Sequence, residues 1–589
     1  MLEMVGGSFQ PLLGFTLLLL CVKPGLGSSI GEGDAEIGCI GRERQALLKF
    51  KQGIVDDFGI LSSWGNEEDK TDCCRWEGVQ CSNLTGHVVM LDLGAYGYMR
   101  AGESMPEFIG SFTKMRYLNL SSTHFFGTLP CQLGNLSNLN SLDLSVIQWP
   151  EAITKLPSLI ELHLKSCDLP SLATPSLSLV NSSASLVLLD LSFNQVHTAS
   201  IYPWLFNFSN SLVHLDLSYN LLRGSLLGDF GNMVSLAYLD LSKNDWEIQG
   251  SIPDTFGNMT SLRTLCLCSN QLEGEIPKSF NNLCKLQTLE LCRNNLAGVL
   301  AKNLLPCAND TLEILDLSRN RFIGSFPDFI GFSSLTRLEL GYNQLNGNLP
   351  ESIAQLSQLQ VLNIPWNSLQ GTVSEAHLFN LSKLQQFDLS FNSLLTLNFS
   401  SDWVPQFQLT DILLASCKLG PRFPGWLRSE KGVGWLDISG SGISDVIPIG
   451  FGISAPTCIV GCGAVAYLDL SNNLLSGELP DCWAQWKGIV VLNLEEGNLV
   501  IGYNYTIPYF KELSRRSSYI DEQLLQWKGR ELEYKRTLGL VKSIDLSSNK
   551  LGGEIPRECP EDEIRKDSPT IEGTPACLPL IRLRSTRCI

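Results

Sequence analysis

Nine residues, Phe193, Tyr219, Lys243, Ser269, Arg293, Arg319, Tyr342, Trp366 and Phe391, each stand immediately before an asparagine and recur about every 24 positions. Rings and cations held in one register can bind a ligand by stacking, cation–π contact and charge-assisted hydrogen bonds. That chemistry recognises; it does not break bonds. A second register three residues upstream is mostly acidic: Asp190, Asp216, Asp240, Cys266, Glu290, Asp316, Glu339, Asn363 and Asp388. Each register also reads as solvated surface with cross-strand pairing. Reactive constellations are missing. The six histidines are scattered without H-E-x-x-H, and no nucleophile elbow, P-loop or kinase motif set occurs. Cys266-Leu-Cys268 and Cys458-Ile-Val-Gly-Cys462 read as thiols or disulfides and not as metal ligands. No catalytic residue, metal or cofactor is expected.

The elements that align these registers are repeats of L-x-x-L-x-L-x-x-N. Nine consecutive matches run from Leu186–Asn194 through Leu212–Asn220, Leu236–Asn244 and on to Leu384–Asn392. The L-x-L core predicts a short strand with both leucines inward and the residues between them outward, about 5 Å from the next repeat. The closing asparagine has an amide able to satisfy the backbone of neighbouring turns as a buried ladder. Tails such as Gly274-Glu-Ile-Pro277, Gly347-Asn-Leu-Pro350 and Gly553-Glu-Ile-Pro556 supply a turn glycine and a proline on the convex side. The fold class is therefore α/β: a right-handed leucine-rich-repeat solenoid with a concave parallel sheet and convex 3-10 and loop segments. Stacked units also explain how 589 residues avoid dividing into several globular cores.

A formal net charge of -17 argues against a nucleic-acid partner, which needs clustered Lys and Arg. Residues 1–28 read as a signal peptide, with an apolar stretch from Pro11 to Val22; an N-terminal membrane anchor is the alternative. Sequons at Asn83, Asn119, Asn135, Asn181, Asn207, Asn258, Asn309, Asn380, Asn398 and Asn504, with 19 cysteines, fit the secretory pathway. Cys268 with Cys292, in adjacent repeats, and Cys284 with Cys307 are possible local staples. Beyond the signal no uninterrupted apolar stretch reaches about 18 residues, so no spanning helix is read.

The G-x-φ-P tails resemble the plant-specific class of repeat. Cys39-Ile-Gly-Arg-Glu-Arg-Gln-Ala-Leu-Leu-Lys-Phe, Leu61-Ser-Ser-Trp64 and Asp72-Cys73-Cys74-Arg-Trp76 resemble that class's N-terminal cap. The resemblance implies pairs Cys39–Cys73 and Cys74–Cys81, where four cysteines alone allow three connectivities. Leu414-Ala-Ser-Cys417-Lys-Leu-Gly-Pro421 and Trp527-Lys-Gly529-Arg-Glu531 with Tyr534 resemble plant receptor-like proteins of the ethylene-inducing-xylanase receptor type. That family senses microbial or plant-derived molecules outside the cell and signals through co-receptor and adaptor receptor-like kinases. It interrupts its array near the C-terminal end with an island, the position held here by residues rich in Tyr, Trp and Arg, among them Tyr519, Trp527, Lys528, Arg530 and Tyr534. An island that packs on the solenoid and one that touches ligand are equally consistent with that composition.

The expected organisation is a signal peptide (1–28), cap (39–84), repeats (88–494), island (495–540), a last recognisable repeat (541–556) and a divergent, disordered tail (557–589) whose sheet edge has no recognisable cap. The family continues past this point with further repeats and a spanning helix, so the chain reads as a C-terminally truncated member. The expected function is extracellular recognition of a peptide, protein or glycan ligand in plant immunity, at the outer face of the plasma membrane by resemblance. The alternative is a soluble decoy, or an inhibitor of a microbial cell-wall-degrading enzyme, secreted to the apoplast.

Overall fold

The computed structural model describes residues 38–551, apart from 57, 95–99, 102–104, 122, 124–129, 145–155, 168–185, 245, 301–303, 431, 449–466, 478–488, 494–521, 528–529, 536–541 and 547. The predicted island residues Tyr519 and Lys528, the sequons Asn181 and Asn504, Cys458, Cys462, the signal segment and the tail lie outside them.

Each repeat contributes one short parallel strand to a long concave sheet. From Val88–Asp92 the order follows the sequence through Tyr117–Leu120, Ser141–Leu144, Glu161–His163, Leu188–Asp190 and His214–Asp216 to Tyr467–Asp469. The middle residue of each strand aligns with the next inward leucine, so Leu215, Leu239, Leu265, Leu289 and Leu315 form one row, all fully buried. A leucine row of this kind is a core one repeat thick. It closes only by stacking.

After the strand the chain must turn out of the sheet, and it does so at one residue. Every residue in the first register adopts a left-handed backbone conformation, from φ 57 at Phe193 through φ 53 at Arg293 to φ 61 at Phe391. For a non-glycine residue that conformation costs on the order of 1 kcal/mol or more. It is held by the next repeat: Phe193 N–H donates to Ser218 O, Lys243 N–H to Cys268 O and Tyr342 N–H to Pro365 O, at 2.7–3.0 Å.

The asparagine that follows is buried and makes the predicted ladder. Asn320 Nδ2 donates to Leu291 O in the preceding repeat at 3.0 Å and to its own Leu317 O at 3.1 Å, while its Oδ1 accepts from Leu296 N–H at 3.0 Å. Where the ladder position holds cysteine, the thiol reaches the preceding repeat, whereas Ser441 bonds within its own repeat, to Ile438 O and Ser439 O. The Cys167 thiol donates to Leu144 O, and the Cys417 thiol to Leu389 O at 3.1 Å.

Eight short parallel strands, from Gly224–Ser225 to Leu394–Leu397, form a second sheet on the flank. The tail glycine of a G-x-φ-P unit sits within it at positive φ, for example Gly274 at 82° and Gly347 at 75°. Convex segments are 3-10 turns begun by proline, such as Asp254–Asn258 after Pro253 and Lys278–Asn282 after Pro277, and their Phe256 and Phe280 are buried.

The N-terminal end is closed by helix Gly41–Gln52, which buries Ala46, Leu47 and Phe50, and by Val79–Cys81 paired antiparallel to Val88–Asp92. Disulfides join Cys39 to Cys73 and Cys74 to Cys81. Trp64 stacks on Trp76 at 5.4 Å, and the buried Glu43 carboxylate accepts from Val88 N–H at 2.7 Å and contacts His87 Nδ1 at 2.8 Å.

Candidate functional site

The left-handed residues project their side chains from successive strand ends, and these touch. Phe193 and Tyr219 stack at 3.9 Å and 14°; the Lys165 ammonium lies 5.2 Å over Phe193, and that of Lys243 donates to the Tyr219 hydroxyl, 4.4 Å from the ring centre. Further along, Tyr342 stacks on Trp366 at 5.8 Å and Trp366 on Phe391 at 4.1 Å, with the Arg319 guanidinium 4.0 Å over Tyr342. The register is therefore two cation-aromatic stacks. Between them stand Ser269 and exposed Arg293, and there the adjoining strand ends are joined by the Cys268–Cys292 disulfide. Cys284–Cys307 ties the same region on the convex side. Trp366 is 45% exposed, so its rim faces solvent although both its faces are covered.

The acidic register has a local cause. Asp190 Oδ1 accepts from Ser192 N–H at 2.9 Å, and the same bond recurs at Asp216, Asp240, Asp316, Asp388, Asp437 and Asp469. The L-D-L-S motif thus pins the turn into the left-handed residue. Stacking carboxylates at strand spacing with little water raises their pKa values. Burial, then the like charges of Asp240 and Asp190, hold Asp216 well above the usual carboxylate range. Burial and Glu339 do the same to Asp316, and burial pushes Asp388 up to about 7. Burial and neighbouring Arg293 pull Lys243 down to about 8, and burial holds His214, stacked on Tyr238 at 4.0 Å, down to about 4.

Residues missed by the periodic reading lie in the strand's first position, where Trp435, 46% exposed, stacks on Tyr467 at 5.3 Å. Trp435 opens the W-L-D-I-S motif, so the signal was present in the sequence. Trp246, also left-handed and 47% exposed, follows Lys243 by three residues. A shallow hollow lined by Gln360, Lys383, Gln385 and Gln408 shares no residue with either register.

In the island, Glu522–Trp527 and Arg530–Lys535 form an antiparallel hairpin that pairs Trp527 with Arg530 and Tyr534 with Gln523. Among the sequons, Asn83, Asn135, Asn207, Asn258, Asn380 and Asn398 are exposed and Asn309 partly so. Asn119 differs. It lies in strand Tyr117–Leu120, half-buried, accepting from Ser121 N–H at 3.1 Å. Two groups of three potential metal donors occur among the described residues, Cys39, Cys73 and Cys74, and Cys268, Cys292 and Asp316; in both the cysteines are disulfide-bonded. No helix among the described residues is long and apolar enough to cross a membrane.

A capped array with these ladders is a leucine-rich-repeat solenoid. Residues 40–82 match the leucine rich repeat N-terminal domain, and 114–136, 211–233, 261–283, 310–369 and 465–486 match leucine rich repeat models. The chain is 34% identical to receptor-like protein EIX1 of Solanum lycopersicum over 82% of its own length and 57% of that protein's, and 34% identical to EIX2 over 88% and 60%. It thus spans less than two thirds of these relatives. The ectodomain of the Arabidopsis receptor kinase HAESA, solved with the peptide hormone IDA and the co-receptor SERK1, shares the fold at TM-score 0.52 and 24% identity, covering 88% of this chain and 95% of that one. The chain belongs to the plant leucine-rich-repeat receptor-like proteins.

Proposed function

We propose that this chain is an extracellular recognition module that binds an extended polypeptide along its concave registers and acts with partner receptor kinases. The observation that carries the ligand class is the covering of the ring faces. A sugar stacks on a free aromatic face, but Phe193, Tyr342 and Trp366 are each flanked on both sides within the column. What remains is ring edges, one side of Phe391, the Trp366 rim and the neighbouring Arg293, a surface suited to side chains and backbone carbonyls. The HAESA complex, a solenoid holding a peptide hormone, supports the same class. Secretion, glycosylation at the exposed sequons and a role in sensing microbial or damage-derived molecules are part of this reading, as is ligand contact by the island. Nothing in the registers offers bond-making chemistry, so the role is binding.

The test uses the secreted full chain against a displayed library of random linear peptides and, in parallel, a panel of plant and microbial cell-wall oligosaccharides. Peptides should be enriched and should lose at least tenfold in affinity with Trp366→Ala. Oligosaccharide capture alone, or peptides indifferent to Trp366→Ala and Tyr219→Ala, would overturn the reading.

A further inference from the structure

The gap between the two cation-aromatic stacks is itself a built feature. Lys243 leans back to the Tyr219 hydroxyl and Arg319 lies over Tyr342, so each belongs to a stack. Between them stand Ser269, 7% exposed, and Arg293, exposed. The corners are fixed in file by the main chain: Lys243 N–H donates to Cys268 O at 2.8 Å, Ser269 N–H to Cys292 O at 2.9 Å and Arg293 N–H to Ser318 O at 2.9 Å. Successive corners therefore lie about 5 Å apart. The Cys268–Cys292 disulfide ties the strand ends immediately before Ser269 and Arg293, with Cα atoms 4.6 Å apart.

Arg293 is the cation left over. Among the described residues its guanidinium makes no hydrogen bond, ion pair or ring contact, and the Ser269 hydroxyl beside it makes no hydrogen bond. The carboxylates of the acidic register are engaged elsewhere: Asp316 accepts from Ser318 N–H at 2.9 Å, Glu290 faces the Cys266 thiol at 3.5 Å, and Glu339 pairs with Arg337. In the strand that carries Ser269 the acidic position is held by Cys266, so the gap has a thiol beneath it where its neighbours have carboxylates. Desolvation and then Arg319 lower the pKa of Arg293, and desolvation and then Arg293 lower that of Lys243, the mark of like charges left facing one another.

We propose that Arg293, with the Ser269 hydroxyl beside it and Arg319 and Lys243 on either side, is a subsite for the carboxylate of an internal Asp or Glu side chain of the bound polypeptide. This rests on the polypeptide reading above. A free guanidinium presents a planar fork that matches a carboxylate, and a corner locked by main-chain bonds and a disulfide loses little freedom on binding. The acid is internal because rings continue along the column on both sides, so a ligand chain passes through the gap and does not end there. Arg293 stands three corners from Tyr219 and two from Tyr342. The acid therefore falls about four residues of extended chain from the one that meets Tyr219, and about three from the one that meets Tyr342. With a net charge of -17 on the chain, long-range attraction cannot supply this preference; the local cations must.

The secreted full chain is panned against two displayed libraries of linear peptides, one random and one lacking Asp and Glu, both fused through their C-termini so that no terminal carboxylate takes part. Acid-containing peptides should be enriched. A synthetic, C-terminally amidated binder should lose at least tenfold in affinity when its acid is replaced by the amide or when Arg293→Gln is made, with little further loss when both are combined. Arg321→Gln removes the same charge from the exposed flank and should change affinity less than about twofold. Equal enrichment from the acid-free library, or fully additive losses, would overturn the subsite and leave the polypeptide reading standing. Should neither library yield a binder, the polypeptide reading fails and end-capped octaglutamate at low salt decides the subsite. Binding that weakens at least tenfold with Arg293→Gln upholds it; no binding, or binding indifferent to that change, refutes it.

Discussion

Replacing Asn320 with alanine isolates what a ladder amide contributes. The side chain satisfies Leu296 N–H and Leu291 O, which belong to the preceding repeat, and helps close its own turn at Leu317 O and Ser318 O. Alanine leaves two of these groups without an obvious replacement in a buried seam, at about 1–3 kcal/mol each. Partial collapse and water entry lower the sum, so the expected cost is about 2–4 kcal/mol, concentrated at the interface between two repeats. Because a solenoid opens locally as well as globally, a single melting temperature would blur the effect. Hydrogen exchange at the Leu296 amide reads it directly and should accelerate by two orders of magnitude or more. Asn320→Cys should recover part of the loss, since Cys167 and Cys417 already serve at equivalent positions, each with a thiol bond to the preceding repeat. A change below about 0.5 kcal/mol with Leu296 exchange unaltered would show that the amide is dispensable and that leucine stacking alone holds the register.

Three further outcomes follow from the same geometry. Asp388 has a folded pKa of about 7 against an unfolded value near 4, so folding takes up a proton between those limits; stability should rise as pH falls from 7 to 5, and Asp388→Asn should flatten that slope in urea titrations at the two pH values. Trp366→Ala should remove two stacking contacts, at about 1–2 kcal/mol of local stability, visible as faster exchange at its neighbours with the global fold retained in circular dichroism. Glu43→Ala should strand Val88 N–H beneath the cap and cost about 2–3 kcal/mol, detected as earlier protease cleavage within residues 39–84.

Much of the fold was legible because a repeat states the same constraint many times. The inward leucines, the asparagine ladder and the proline-initiated convex turns each announce themselves by spacing, and the cap cysteine pairs by resemblance. The left-handed turn was not legible, since Phe193, Lys243 and Trp366 share no intrinsic taste for positive φ; that conformation is imposed by backbone bonds to the next repeat. The acidic register was readable as a pattern, whereas its cause, an aspartate clamping the serine two residues on, needed the geometry. The thiols of Cys167 and Cys417 were hidden by attention to asparagine alone, though Cys167 stands in L-x-L-x-x-C and Cys417 in I-x-L-x-x-C.

The left-handed corner has one last implication, for how such a wall is revised. Its backbone energy is set by a hydrogen bond through the main chain, and its side chain is no part of the leucine seam. Phenylalanine, lysine, serine, arginine and tryptophan all occupy it in this one chain without altering the turn. The corner works like a row of sockets that accept any plug: what the surface presents can be exchanged letter by letter while the frame that carries it is left as it was.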